Sequence, residues 1–171
     1  YTERYLIDRI AHCETVNLEG FYAPFLYPNP WTRILENKKV LVIHPFADSI
    51  IAQYKKREYL FENPQVLPKF ASLQCIKAVQ SIAGEKCEFS NWFEALDSMK
   101  KQMVDADFDV AIIGCGAYGF PLTVYAKRLG KRGIHLAGWT QMLFGIYGRR
   151  WLVDQPKYAK LINDYWIRPS E

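Results

Sequence analysis

Asp109-Val110-Ala111-Ile112-Ile113-Gly114-Cys115-Gly116-Ala117-Tyr118-Gly119 is the stretch whose reading decides the fold. Val110 to Ile113 are apolar without alternation, the pattern of a strand buried on both faces. Three glycines then interrupt the run in the spacing Gly114-x-Gly116-x-x-Gly119. A helical stretch from about Phe120 to Leu129 follows, and Gly130 is placed to end it as a C-cap. Strand, glycine turn and helix in that order predict one βα unit of a parallel sheet.

The same alternation extends outward on both sides. Lys39 to Ile43 is a second continuous apolar run, ending at His44-Pro45-Phe46. Asp48 or Ser49 is placed to cap a helix whose apolar face is Ile50, Ile51, Tyr54 and Phe61, with Asn63-Pro64 as its stop. Ser72 to Val79 reads as a further strand. Asn91 with Glu94 three residues later predicts a capping box opening a helix that lines up Trp92, Leu96, Met99 and Met103. Gly133 to Ala137 reads as the last clear strand, and Thr15-Val16-Asn17-Leu18 as a short early one.

Thr2 to His12 carries apolar residues at helical spacing. Phe21 to Trp31 is aromatic and broken by prolines, leading into a short helix from Pro30 to Leu35. Another short helix is expected near Pro156 to Tyr165. Together these features predict an α/β fold: one three-layer Rossmann-like domain over residues 1–171, with a mostly parallel sheet of about five strands. The chain opens at Tyr1 rather than methionine, so an N-terminal portion of a longer protein is expected to be missing.

Half of the 171 residues are apolar and 15% are aromatic, which suits one substantial core and excludes general disorder. The four cysteines contain no Cys-x-x-Cys pair, and the only adjacent Cys–His pair is His12-Cys13. Buried thiols in a reducing compartment are expected, and no metal site. No apolar run approaches the ~20 residues of a membrane span, so a cytoplasmic protein is expected. The net charge of +4 gives no argument for nucleic-acid binding. Its distribution is more informative: no acidic residue lies between Asp109 and Asp154, where Lys127, Arg128, Lys131, Arg132, Arg149 and Arg150 all fall. That field favours an anionic ligand, although cations at Lys127 to Arg132 also suit a helix C-terminus.

In parallel sheets ligands bind beyond the carboxyl ends of the strands. This gathers His44, the turn Gly114, Gly116, Ala117, Tyr118 and Gly119, and the segment from Gly138 onward at one rim. Glycines there permit a tight turn and let a phosphate approach amides at a helix start, or serve only close strand–helix packing. His44 is a candidate base or phosphate donor, with a plain rim histidine as the other reading. His135, inside an apolar run, is expected to be buried and hydrogen-bonded. Gly138, Gln141, Arg149 and Arg150 belong to an acid-free, aromatic loop whose arginine forks suit a diphosphate. A dinucleotide or S-adenosylmethionine cofactor is disfavoured, because the strand Ile134-His135-Leu136 ends without an acidic residue to hold a ribose. Cys115, between two glycines at a helix start, sits where a thiol pKa can fall, but no base partner accompanies it.

His44-Pro45-Phe46, the stretch Asp109 to Leu122, and Gln141-Met142-Leu143-Phe144-Gly145-Ile146 with Gly148-Arg149-Arg150-Trp151 resemble bacterial proteins encoded with polysaccharide-synthesis genes. The resemblance spans roughly Trp31 to Trp151. More distantly, that group is similar to GT-D type glycosyltransferases. The resemblance implies a Rossmann-like domain that binds a nucleotide-sugar, with a divalent metal accompanying a UDP-sugar. The Asp-x-Glu metal motif of that family has no counterpart here. Two alternatives stand beside it: an enzyme using NAD(P) or another nucleotide cofactor, and a non-catalytic scaffold for polysaccharide assembly with a protein partner on Phe21 to Trp31.

Overall fold

The computed structural model describes residues 5, 9–10, 13–14, 16–80, 87–153 and 156–170. Most of the helix expected over Thr2 to His12 lies outside the described residues. The described chain forms an α/β fold around one parallel sheet of four strands: β1 (Lys39–His44), β2 (Ser72–Lys77), β3 (Val110–Ile113) and β4 (Arg132–His135). Their order is β2-β1-β3-β4 and every pairing is parallel.

Of the early strand expected over Thr15 to Leu18, Thr15 lies outside the described residues, and Val16 to Leu18 are not part of the sheet. Asn17 accepts a hydrogen bond from the Gly20 amide and caps a short helix, α1 (Leu18–Tyr22). Asparagine favours that local cap over a ladder position, which leaves four strands rather than about five.

Alternate side chains of β1 build two cores. Val40 and Val42 face a layer containing Ile50 of α2 (Ala47–Tyr54) and the aromatic segments at both ends of the chain. Leu41 and Ile43 face Leu96, Met99 and Met103 of α3 (Trp92–Asp105) and Leu122 and Ala126 of α4 (Gly119–Arg128). A strand's two-residue period makes this division automatic when both faces are covered.

The order of the strands explains which helix covers which face. The chain steps from β1 to β2 in one direction, then returns past β1 to β3 and on to β4. Right-handed crossovers in opposite directions must lie on opposite faces, so α2 sits on one side and α3 and α4 on the other. The reversal falls between the carboxyl ends of β1 and β3, where Gly114 donates its amide to the Ile43 carbonyl at 2.9 Å.

Local signals account for several boundaries. The Asn91 side chain accepts from the Phe93 and Glu94 amides, both at 3.0 Å, while a Glu94 carboxylate oxygen accepts from the Ser90 amide. Gly130 ends α4 at φ +75°. The helix expected to be capped by Asp48 or Ser49 starts one turn-position earlier, after Phe46, without a side-chain cap. Ser49 instead pairs with Ser170, and Asp48 with Lys77 at 3.6 Å. That helix also stops at Tyr54, well short of Asn63, because Leu60 turns inward and its carbonyl accepts from the Trp166 indole at 3.0 Å.

Candidate functional site

The register Ile43↔Ile113↔His135 aligns the ends of three strands, so His44, the glycine turn and the segment starting at Leu136 emerge at one rim. The glycines there differ in what they permit. A β-carbon on Gly114 would meet the Ala137 carbonyl at 2.3 Å and the Thr140 hydroxyl at 2.4 Å. One on Gly119 would meet His135 Nε2 at 2.4 Å. These two glycines let the turn pack against the β4 end. Gly116 is different: it lies at φ +55°, and a β-carbon there would meet nothing within 4 Å.

The turn Cys115 to Tyr118 leads into the 10-residue α4, and neither Cys115 nor Tyr118 supplies a side-chain cap. Its amide end is therefore left to main-chain geometry at the positive pole of the helix. Ala117 is exposed beside Gly116, while Tyr118 leans onto Trp92, the rings stacked 5.3 Å apart. Cys115 is buried, and burial pushes its thiol pKa up to about 12. The lowering that a helix start can produce is overruled by desolvation.

His44 is 4% exposed, packs its ring against Phe46 and accepts the Phe46 amide at Nδ1 (3.0 Å). A nitrogen that accepts holds no proton, so the ring proton sits on Nε2 while this bond is made. His135 was expected to be buried and hydrogen-bonded. It is half-buried, its Nε2 is enclosed without a hydrogen-bond partner among the described residues, and desolvation lowers its pKa. Thr140 is fully buried with its hydroxyl in the same condition. Both orphaned atoms abut glycines of the turn, a pairing that no local sequence signal announces.

Gly138 opens α5 (Trp139–Leu143), and Arg150 Nη1 lies 3.7 Å from where a Gly138 β-carbon would be. Arg149 and Arg150 are both exposed on α6 (Arg149–Val153), and the Arg150 guanidinium sits over the Trp151 ring. Gln141 faces its own loop: its carbonyl accepts the Ile146 amide at 2.9 Å, and its side-chain amide lies 3.4 Å from the Ile146 carbonyl.

The acid-free loop is thus held by aromatics. Trp139 stacks on Tyr22 at 4.4 Å, tilts against Trp151 at 4.5 Å and meets the edge of Tyr158 at 4.8 Å. Tyr158 belongs to α7 (Pro156–Ala159), where its hydroxyl donates to Glu19, which also pairs with Lys157. The segments around Phe21 and Trp151 therefore close over the β4 end together, a contact that sequence alone did not suggest.

Among the described residues no group of three or more His, Cys, Asp or Glu side chains comes together as a metal site. Also among them, no helix is long and apolar enough to cross a membrane. Comparison with protein-family models, with curated proteins and with solved structures gave no match.

Proposed function

We propose that this chain is a Rossmann-like, glycosyltransferase-like domain that binds a nucleotide-sugar at the carboxyl rim of its sheet. The observation that carries the reading is Gly116: a left-handed residue with open space before it, in an uncapped turn at the start of α4. Such a turn offers amides to a phosphate without a side chain in the way. The strand order supports the same place, since the reversal between β1 and β3 lies beside it. Arg149 and Arg150 are the cations assigned to the diphosphate, with Gly138 and Gln141 shaping the loop that carries them. Offsetting the charge that develops on a departing nucleoside diphosphate is the catalytic contribution this arrangement would make.

His44 is assigned as phosphate donor rather than base, because Nδ1 accepts the Phe46 amide and the ring proton is then on Nε2. Among the described residues no cluster of donors fits the divalent metal of the GT-D type enzymes, so no step is routed through one. A scaffold role is the second reading. It is favoured by the aromatic closure of Tyr22, Trp139 and Tyr158, which gives the loop a structural purpose independent of any ligand.

The experiment is thermal stabilisation against UDP, UDP-sugars, NAD, NADP and S-adenosylmethionine, each with and without manganese. A ligand that binds only the folded state raises the unfolding temperature. A shift with UDP compounds, abolished in an Arg149→Ala/Arg150→Ala variant, is the expected result. A shift with dinucleotides alone would move the assignment to a nicotinamide enzyme, and no shift with any of them would favour the scaffold.

A further inference from the structure

β4 is an edge strand, and the described chain leaves its outer side in a groove. Arg132 and Leu136 donate their amides inward, to the Asp109 and Ile113 carbonyls of the β3 side. Strand alternation therefore turns the amides and carbonyls of Gly133 and His135 away from the sheet. A cavity of about 450 Å³ lies along the first part of this edge, at Arg132 to Ile134, walled on one side by Ile34 and on the other by Thr123 and Val124 of α4. Ile34 is 57% exposed and Val124 36%, while Ile134 forms a half-buried floor. Three cations, Lys127, Lys131 and Arg132, stand at the end of the groove where β4 begins, and none of the described residues that line it is acidic.

We propose that this groove takes an extended, acidic peptide segment of a partner protein as an added strand beside β4. An edge strand between two flanking elements supplies main-chain hydrogen bonds for affinity, and its walls read alternate side chains. Here one set of partner side chains meets Ile34 and Ile134, and the other meets Thr123 and Val124. The charge settles the occupant's sign. Glutamate or aspartate in the partner neutralises the three cations, which the chain leaves without an acidic neighbour among the described residues of the lining. The inference is independent of the nucleotide-sugar reading, because the groove lies along the strand edge and not at the rim.

The test uses a synthetic (Val-Glu)₄ peptide as probe, with (Val-Lys)₄ as control, and amide hydrogen exchange of the whole chain as readout. Saturating (Val-Glu)₄ is expected to slow exchange at Gly133 and His135 by about tenfold or more, with (Val-Lys)₄ leaving them unchanged. A Lys127→Gln/Lys131→Gln variant, which removes two of the three cations without reversing charge at the end of α4, is expected to lose most of the effect of (Val-Glu)₄. Absence of protection at Gly133 and His135, or equal protection by both peptides, would overturn the proposal.

Discussion

Gly119 and His135 are fitted to each other: a β-carbon on the glycine would lie 2.4 Å from the Nε2 of the histidine. The helix start is therefore held against the end of β4 by the absence of a side chain. Gly119→Ala must push the imidazole aside and is expected to destabilise the fold by about 1–3 kcal/mol. Adding His135→Ala to that variant is expected to recover most of the loss. Urea unfolding of the two variants and the parent checks this, and a Gly119→Ala protein as stable as the parent would refute the fit.

The same histidine gives the fold a pH dependence. Desolvation lowers its folded-state pKa, so the unfolded chain binds the proton more readily. The stability it contributes is full above the ordinary histidine range and is lost as pH falls through and below about 6.5. Glu19 and Asp107, whose pKa values are lowered by the Lys157 and Lys39 partners, act only in the more acidic carboxylate range. Unfolding temperature is expected to drop between pH 7.5 and 5.5 in the parent and to drop less in His135→Gln. Parallel curves for the two proteins would assign the effect elsewhere.

Thiol reactivity separates the four cysteines into two pairs. Cys13 and Cys87 are exposed, whereas burial pushes Cys75 and Cys115 up to about 12. At pH 8 a disulfide reagent is expected to titrate two thiols rapidly in the native protein and all four after denaturation. Rapid native reaction of Cys115 would restore it as a candidate nucleophile.

Ala137 carries a cost that glycine would not. It lies at φ +48°, with its carbonyl against Gly114. A left-handed non-glycine residue costs of order 1–3 kcal/mol, partly offset by the extra chain entropy a glycine would lose. Ala137→Gly is expected to raise stability by up to about 1 kcal/mol in the same urea assay. A loss of stability would show that the alanine methyl is needed for packing.

Local chemistry made much of this fold legible. Continuous apolar runs announced β1 and β3 because a strand covered on both faces has no polar side. Asn91 with Glu94, and Gly130, marked helix ends because capping acts within a few residues. What escaped was decided at long range. Ser49 looked like a cap and became a partner of Ser170, 121 residues away. Asn17 looked like part of a strand and capped a helix. At the rim, the glycine spacing was visible, but not that Gly114 and Gly119 serve Thr140 and His135, leaving Gly116 alone with open space. Those contacts join separate βα units, and no periodicity encodes them.

Glu19 receives the Tyr158 hydroxyl across 139 residues of chain, a longer loop than the β-ladders span. Contacts that close such loops form late, since the entropy of closure must first be overcome. A ribosome making this protein would release the sheet's strands before Trp151 and Tyr158, whose rings pack on Trp139 and Phe25. Until Trp151 and Tyr158 emerge, the nascent chain presents Phe25 and Trp139 without those rings, so a later-made segment hides an earlier one.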